Sequence, residues 1–159
     1  MAENVKKQKG ALMVEILIAT TIITVALLAL FGIASIIIKQ HSGADKTNQA
    51  IGLAQEALEA TRSFRDGTNW SAGGLGSLTM GVDYHPQITG TPPQWQLVLG
   101  EETVGIFKRK IVFYKAMRDA GGMFVEPGGI EDVNARKVKA IISWEQKNIE
   151  IVSYFTNWR

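Results

Sequence analysis

A carboxylate stands at the mouth of an otherwise uncharged apolar run. Residues 16–38 carry no formal charge, and they follow Glu15 and a basic leader with Lys6, Lys7 and Lys9. As a helix rising about 1.5 Å per residue, those residues span roughly 35 Å, enough to cross the hydrocarbon core of a bilayer. Hydrocarbon excludes charge, so an ionisable group at the end of such a run points to a functional role for Glu15. The plain alternative is that Glu15 snorkels to the membrane interface.

The leader also sets a direction. Lys6, Lys7 and Lys9 against Glu3 give residues 1–10 a net charge of +2, the whole of the formal charge of this 159-residue chain. Positive flanks stay on the cytoplasmic side, so the remainder is expected outside a cytoplasmic membrane that it crosses once. A cleaved secretory signal fits poorly. The run is longer than an ordinary signal core, holds Glu15 and lacks an A-x-A site near its end. Beyond residue 10 the chain is neutral overall, which argues against a broad basic face and makes nucleic acid an unexpected partner. Cysteine is absent, removing disulfides, thiolate nucleophiles and cysteine metal sites from consideration.

Past Lys39 the pattern turns amphipathic. Ala50, Leu53, Ala54, Ala57, Leu58, Thr61 and Phe64 recur at i, i+3/i+4 spacing, while Gln49, Glu56, Glu59 and Arg62 fall on other faces. Glu59 and Arg62 stand at pairing distance along a helix. With no proline before residue 86, the simplest reading is one helix over about 12–64, roughly 80 Å long. Gly32, Gly43 and Gly52 weaken it locally. Within the apolar part, Thr20, Thr21 and Thr24 are expected to bond back to helix carbonyls. Asp66-Gly67 is a stop signal. Residues 67–93, rich in glycine and proline, read as mostly loop with a short strand near 78–84. Strand-like runs follow at 94–99, 104–117, 137–145 and 149–155, with 145–148 as the turn of a closing hairpin. Residues 120–130 form a glycine-rich loop. A helix followed by strands gives an α+β fold, with a small antiparallel sheet closed over the apolar face of the helix.

Lys9-Gly10 followed by Ala11-Leu12-Met13-Val14-Glu15 and the apolar helix resembles the N-terminus of type IV prepilins and type II secretion pseudopilins. Lys137 to Trp144 with Val152 to Trp158 is similar to the closing hairpin of minor pilins, and Arg62-Ser63-Phe64-Arg65-Asp66 with Asn69-Trp70 is similar to their junction after the helix. The resemblance implies a type IV pilin-like fold and four segments: a cytoplasmic leader (1–10), a transmembrane and assembly helix (11–38), its amphipathic continuation (39–65) and a β-rich head (66–159). It implies cleavage between Gly10 and Ala11 by a prepilin peptidase, N-methylation of Ala11, and Glu15 as the acid of an assembly charge pair, the fifth residue after cleavage. The implied partners are that peptidase, other pilin or pseudopilin subunits, an inner-membrane assembly platform and membrane lipid. The implied location is the cytoplasmic membrane, then a pilus or pseudopilus. Where the family most often has phenylalanine or methionine, this chain has Ala11.

Glycine at position 10 suits this role, because the scissile backbone must extend into a protease site. Lysines hold that bond against anionic headgroups. The amine freed at Ala11 would lie one helical turn before Glu15, able to offset the roughly 2.5–3.5 kcal/mol cost of a lone charge in the membrane.

No catalytic set emerges, and no cofactor or metal is expected. His41 and His85 are isolated. Asp119, Glu126, Glu131 and Asp132 surround the glycine-rich loop without EF-hand spacing and read as solvated acids. Lys108-Arg109-Lys110 is a basic run in a strand, where alternation exposes Lys108 and Lys110 on one face as edge protection. Trp70, Trp95, Trp144 and Trp158 are expected to fill the core of the head rather than to form a ligand platform. The chain therefore reads as a structural subunit and not an enzyme. The rival reading is a single-pass anchored module that captures a ligand and never assembles.

Overall fold

The computed structural model describes residues 13–41 and 43–158. One long helix, α1 (Ala2–Gly67), precedes six strands: β1 (Asp83–Thr89), β2 (Gln94–Leu99), β3 (Glu102–Val104), β4 (Phe107–Arg118), β5 (Ile130–Trp144) and β6 (Lys147–Thr156). The fold is α+β. The chain divides into two compact units, Met1–Lys46 and Thr47–Arg159. The first is helix alone. The second joins the last turns of α1 to the sheet.

In the second unit the expected helical face is the one that packs. Ala50, Ala54, Ala57, Ala60, Thr61 and Phe64 are buried, whereas Gln49, Glu56, Glu59 and Arg62 stay exposed. The stripe on the helix is mostly alanine. The larger side chains come from the sheet: Phe113, Ile111, Val138 and Ile142 are fully buried opposite it. Thr61 needs no outside partner, since its hydroxyl donates to the Ala57 carbonyl at 2.8 Å. Glu59 and Arg62 pair at 2.7 Å on the solvent side.

The sheet is antiparallel in the order β2-β1-β4-β5-β6, and β3 also pairs with β4. Strand β4 is therefore central. One of its edges meets β3 at residues 107–109 and β1 at residues 111–112, and the other meets β5. This corrects the reading of Lys108 and Lys110 as edge guards. They do share the outer face, but within a strand flanked on both sides, where Lys108 meets Glu101 and Lys110 meets Asp83, each at 3.0 Å.

Four boundaries also differ from expectation, the largest at β5, which begins at Ile130 rather than at 137. The short strand near 78–84 is β1, shifted to Asp83–Thr89 and running through Pro86. From His85 onward β1 has only β2 beside it, and a strand with one neighbour tolerates proline. The run 104–117 is two strands, because Gly105 (φ 62°) starts a two-residue turn between Val104 and Phe107. The last hairpin turns on Glu145 and Gln146 alone, with Lys147 already paired to Trp144. The tryptophans split: Trp70 and Trp144 are buried, Trp95 is half-buried and Trp158 is exposed.

Ala57→Leu should destabilise the head by about 1–3 kcal/mol, because a larger side chain has no room against Phe113 and its neighbours. Glu59→Leu on the outward face should change stability by no more than about 0.5 kcal/mol. Denaturant unfolding followed by the near-ultraviolet signal of the buried aromatics compares them. Equal midpoints for the two variants would contradict the packing described.

Candidate functional site

The first unit has no core of its own. Every described side chain from Met13 to His41 is exposed, including sixteen large apolar ones between Met13 and Ile38. Removing such side chains from water is worth about 1.5–3 kcal/mol each, on the order of 25–50 kcal/mol together. Contact with lipid or with other apolar helices would remove that surface from water. The segment is long and apolar enough to cross a membrane.

Its polar groups are handled locally. Thr20 donates to the Ile16 carbonyl at 2.9 Å, Thr21 to Leu17 at 2.7 Å and Thr24 to Thr20 at 2.7 Å, as expected. No described cation pairs with Glu15. At 3.6 residues per turn, Ala19, Ile22, Ala26, Ala29 and Ile33 share its face, while the threonines lie on the opposite one. Lys6, Lys7, Lys9, Gly10 and Ala11 lie outside the described residues.

In the head, the acids around the glycine-rich segment are bonded to neighbours rather than merely solvated. Asp119 Oδ1 accepts from the backbone amides of Gly121 and Met123, both at 2.9 Å, and closes the loop on itself. Glu131 pairs with Lys115 at 2.6 Å and Asp132 with Arg118 at 2.6 Å. Glu126 reaches Lys137 and accepts from the Tyr154 hydroxyl at 3.1 Å. Phe124 stacks on Tyr154 with centroids 4.2 Å apart, and the Arg118 guanidinium lies 3.9 Å above Phe124. The segment thus folds back on the outer face of the sheet. Gly129 allows the return: its φ is +88°, and a Cβ there would sit 2.5 Å from the Arg118 carbonyl oxygen.

These contacts set the titration. The hydrogen bond from Lys137 holds the Glu126 carboxyl below its usual range, and the bond from Arg118 does the same for Asp132. Glu150 raises Lys139. Burial, with the bond to Glu126 second, raises the Tyr154 phenol. Among the described residues no three His, Asp or Glu side chains gather as a metal site. His85 Nδ1 lies 3.2 Å from the Gly100 carbonyl.

Two buried arginines escaped the sequence reading. Arg109 is the middle residue of the basic run and points inward, where its guanidinium meets Glu102 at 2.7 Å, Glu56 of α1 at 3.1 Å and the Leu53 carbonyl at 3.4 Å. Arg136 is held by backbone carbonyls, Gly76 and Ala135 at 2.9 Å and Val133 at 3.3 Å. Strand alternation within 104–117 contained the signal for Arg109, whereas Arg136 precedes the strand expected at 137–145 and lies in the part of β5 that the sequence reading left out. No family model, curated protein or solved structure matches this chain.

A carboxyl with a lowered folded pKa stabilises above its unfolded pKa and loses that contribution as pH falls through the folded value. The contacts of Glu126 and Asp132 should therefore persist to below about pH 4 and then release residues 119–129. The Phe124 ring protons, shifted upfield by the stack on Tyr154, should move toward free values in that window by NMR. Free values already at pH 7 would refute the stacked segment.

Proposed function

We propose that this chain is a structural subunit of a type IV pilus-like filament, a minor pilin or pseudopilin. In this reading it is made as a membrane precursor with its N-terminus in the cytoplasm and its head outside. A prepilin peptidase removes residues 1–10 and methylates Ala11, and an inner-membrane platform then moves the subunit into a filament with others of its kind. The observation that carries the reading is the segment from Met13 to Ile38, apolar on every side and broken by one acid. A plain anchor needs the apolar surface but has no use for Glu15. A filament core uses both, because apolar helices pack on one another while the acid selects the register at which it meets an amine. The new ammonium at Ala11 supplies that amine, either one turn away in the same helix or in an adjacent subunit. The α+β head, with α1 against an antiparallel sheet, is consistent with the pilin-like layout that the resemblance implies.

Two variants test this. Gly10→Phe should leave the leader attached, read as an unchanged precursor mass, while the parent protein extracted from membranes should begin at Ala11 and carry a methyl group. Glu15→Ala should be processed normally and yet be depleted at least about tenfold from sheared filaments. A native chain that retains residues 1–10 would favour the anchored binding module instead, and full incorporation of the Glu15 variant would remove that residue from its role.

A further inference from the structure

Strand β6 closes one side of the sheet, with β5 on one flank and no strand on the other. The ladder shows which of its backbone groups are already paired. The Asn157 amide donates to the Asn134 carbonyl at 2.7 Å, and this pair continues the register in which Phe155 stands opposite Arg136. Bonded pairs in an antiparallel ladder recur at every second residue. Phe155, Ser153, Ile151, Ile149 and Lys147 therefore bond to β5. Asn148, Glu150, Val152, Tyr154 and Thr156 turn their N–H and C=O groups to the open side, where no partner meets them among the described residues.

Long open edges normally carry a guard: a proline, a bulge or a charge turned inward. Strand β2, at the other end of the order, is six residues long and follows Pro92 and Pro93. Strand β6 runs for ten residues with no proline and an unbroken register. Of its two charges, Lys147 sits at the hairpin turn, and Glu150 leans back onto Lys139 of β5 at 2.7 Å. Burial on the helix side also falls off here. Val138, Ala140 and Ile142 of β5 are fully buried, yet Ile149 and Ile151 on the same face of β6 are only half-buried. On the outer face Val152 is 43% exposed.

The complement of a regular row of N–H and C=O groups is another extended backbone, added as a strand. The side chains narrow the choice. Every second residue of an added strand would lie beside Ile149 and Ile151, where an apolar group extends the core. The residues between them would lie on the outer face beside Val152 and Glu150, whose side chain is 41% exposed. A basic residue there would face the acid across the new pair. A second β6 supplies no such cation, because its outer positions are Asn148, Glu150, Val152, Tyr154 and Thr156. We propose that the open edge of β6 takes up an extended segment of a different polypeptide as a seventh strand, with apolar side chains on the helix side and a lysine or arginine on the outer side. The site belongs to the head and needs no assembly, so it stands or falls apart from the filament reading.

The test uses the full chain in detergent and a capped synthetic peptide copying Lys137–Trp144 of β5, which carries lysines on one side and valine, alanine and isoleucine on the other. Calorimetry up to about 1 mM peptide and amide hydrogen exchange are the readouts. Binding should saturate and should slow exchange at Glu150, Val152 and Tyr154 by at least about tenfold. The same peptide N-methylated at every backbone amide should not bind. A version with both lysines changed to glutamate should bind about threefold more weakly. Val152→Pro removes a donor that serves no bond within the sheet, and Val152→Lys places a guard on the edge, so each should weaken binding by at least about tenfold. Val152→Lys should do so with an unchanged melting temperature, which covers the case in which proline disturbs the strand. No saturation by about 1 mM, binding of the N-methylated peptide, equal or better binding of the acidic one, or full binding by both variants would overturn the proposal. So would a dimer of the chain alone that slows exchange at the same three amides, since that assigns the edge to a second copy.

Discussion

The head depends on an apolar core shared between small side chains on a helix and large ones on a sheet. Ala50, Ala54, Ala57 and Ala60 present nothing beyond Cβ along the packed face of α1. The aromatic and branched residues therefore belong to the sheet, where Phe107 packs edge-on to Trp144 and Tyr84 edge-on to Phe113, with centroids 5.6 and 5.5 Å apart. The volume is divided unequally between the two layers, so changes of size on the helix are felt at once and have little freedom to relax. At the edge of this contact Arg109 ties Glu56 on α1 to Glu102 on β3. Burying a charge has a desolvation cost that the pairing must offset. The gain is in position, because the short β3 is bonded to the sheet over only three residues.

The same helix makes an opposite demand between Met13 and Ile38. Its side chains there are mostly apolar and exposed on every side, so no single protein face could cover them. Between Met13 and Ile38, Glu15 is the one charged group. An acid on one face, with threonines that satisfy themselves on the other, makes the rod chemically two-sided although it is otherwise apolar. A solvent of lipid would not distinguish those sides. Neighbouring helices would.

Much of this was legible in the sequence, for a physical reason. The packed helical face repeats with a period that only a helix shares, so Ala50 to Phe64 could be assigned before any coordinates. Strand β2 was bounded correctly because glycine and proline fence it. The failures occur where a residue has two compatible readings. Pro86 argues against a strand, and only the topology, with β1 parted from β4 after Tyr84, makes it acceptable. Alternation puts Lys108 and Lys110 on one face, but that holds for an edge strand and a central one alike, and only the topology places β4 between neighbours. The glycine-rich segment looks like a mobile loop by composition, and nothing local announces that Phe124 will meet Tyr154, a residue thirty positions later. Long-range partners of that kind carry no periodic signal. The proposed cleavage and pairing residues are the reverse case, since Gly10, Ala11 and the leader lysines are legible only as a motif.

The outer face of the sheet shows how such a charge pattern resolves in three dimensions. Lys108, Lys110, Lys137 and Lys139 project from two adjacent central strands, and each has its own carboxylate in Glu101, Asp83, Glu126 and Glu150. The acids come from the loop before β3, from β1, from the glycine-rich segment and from β6. Four separate parts of the chain thus converge to neutralise one patch. A surface built to attract a polyanion would leave such lysines unmatched, because the release of counterions from unpaired cations drives that kind of binding. Exposed pairs of this sort add little stability individually, so their consistent one-to-one matching is better understood as removing a field than as holding the fold. The lysines of the broad face are thereby matched one to one, and that face carries no unpaired positive patch from these four residues.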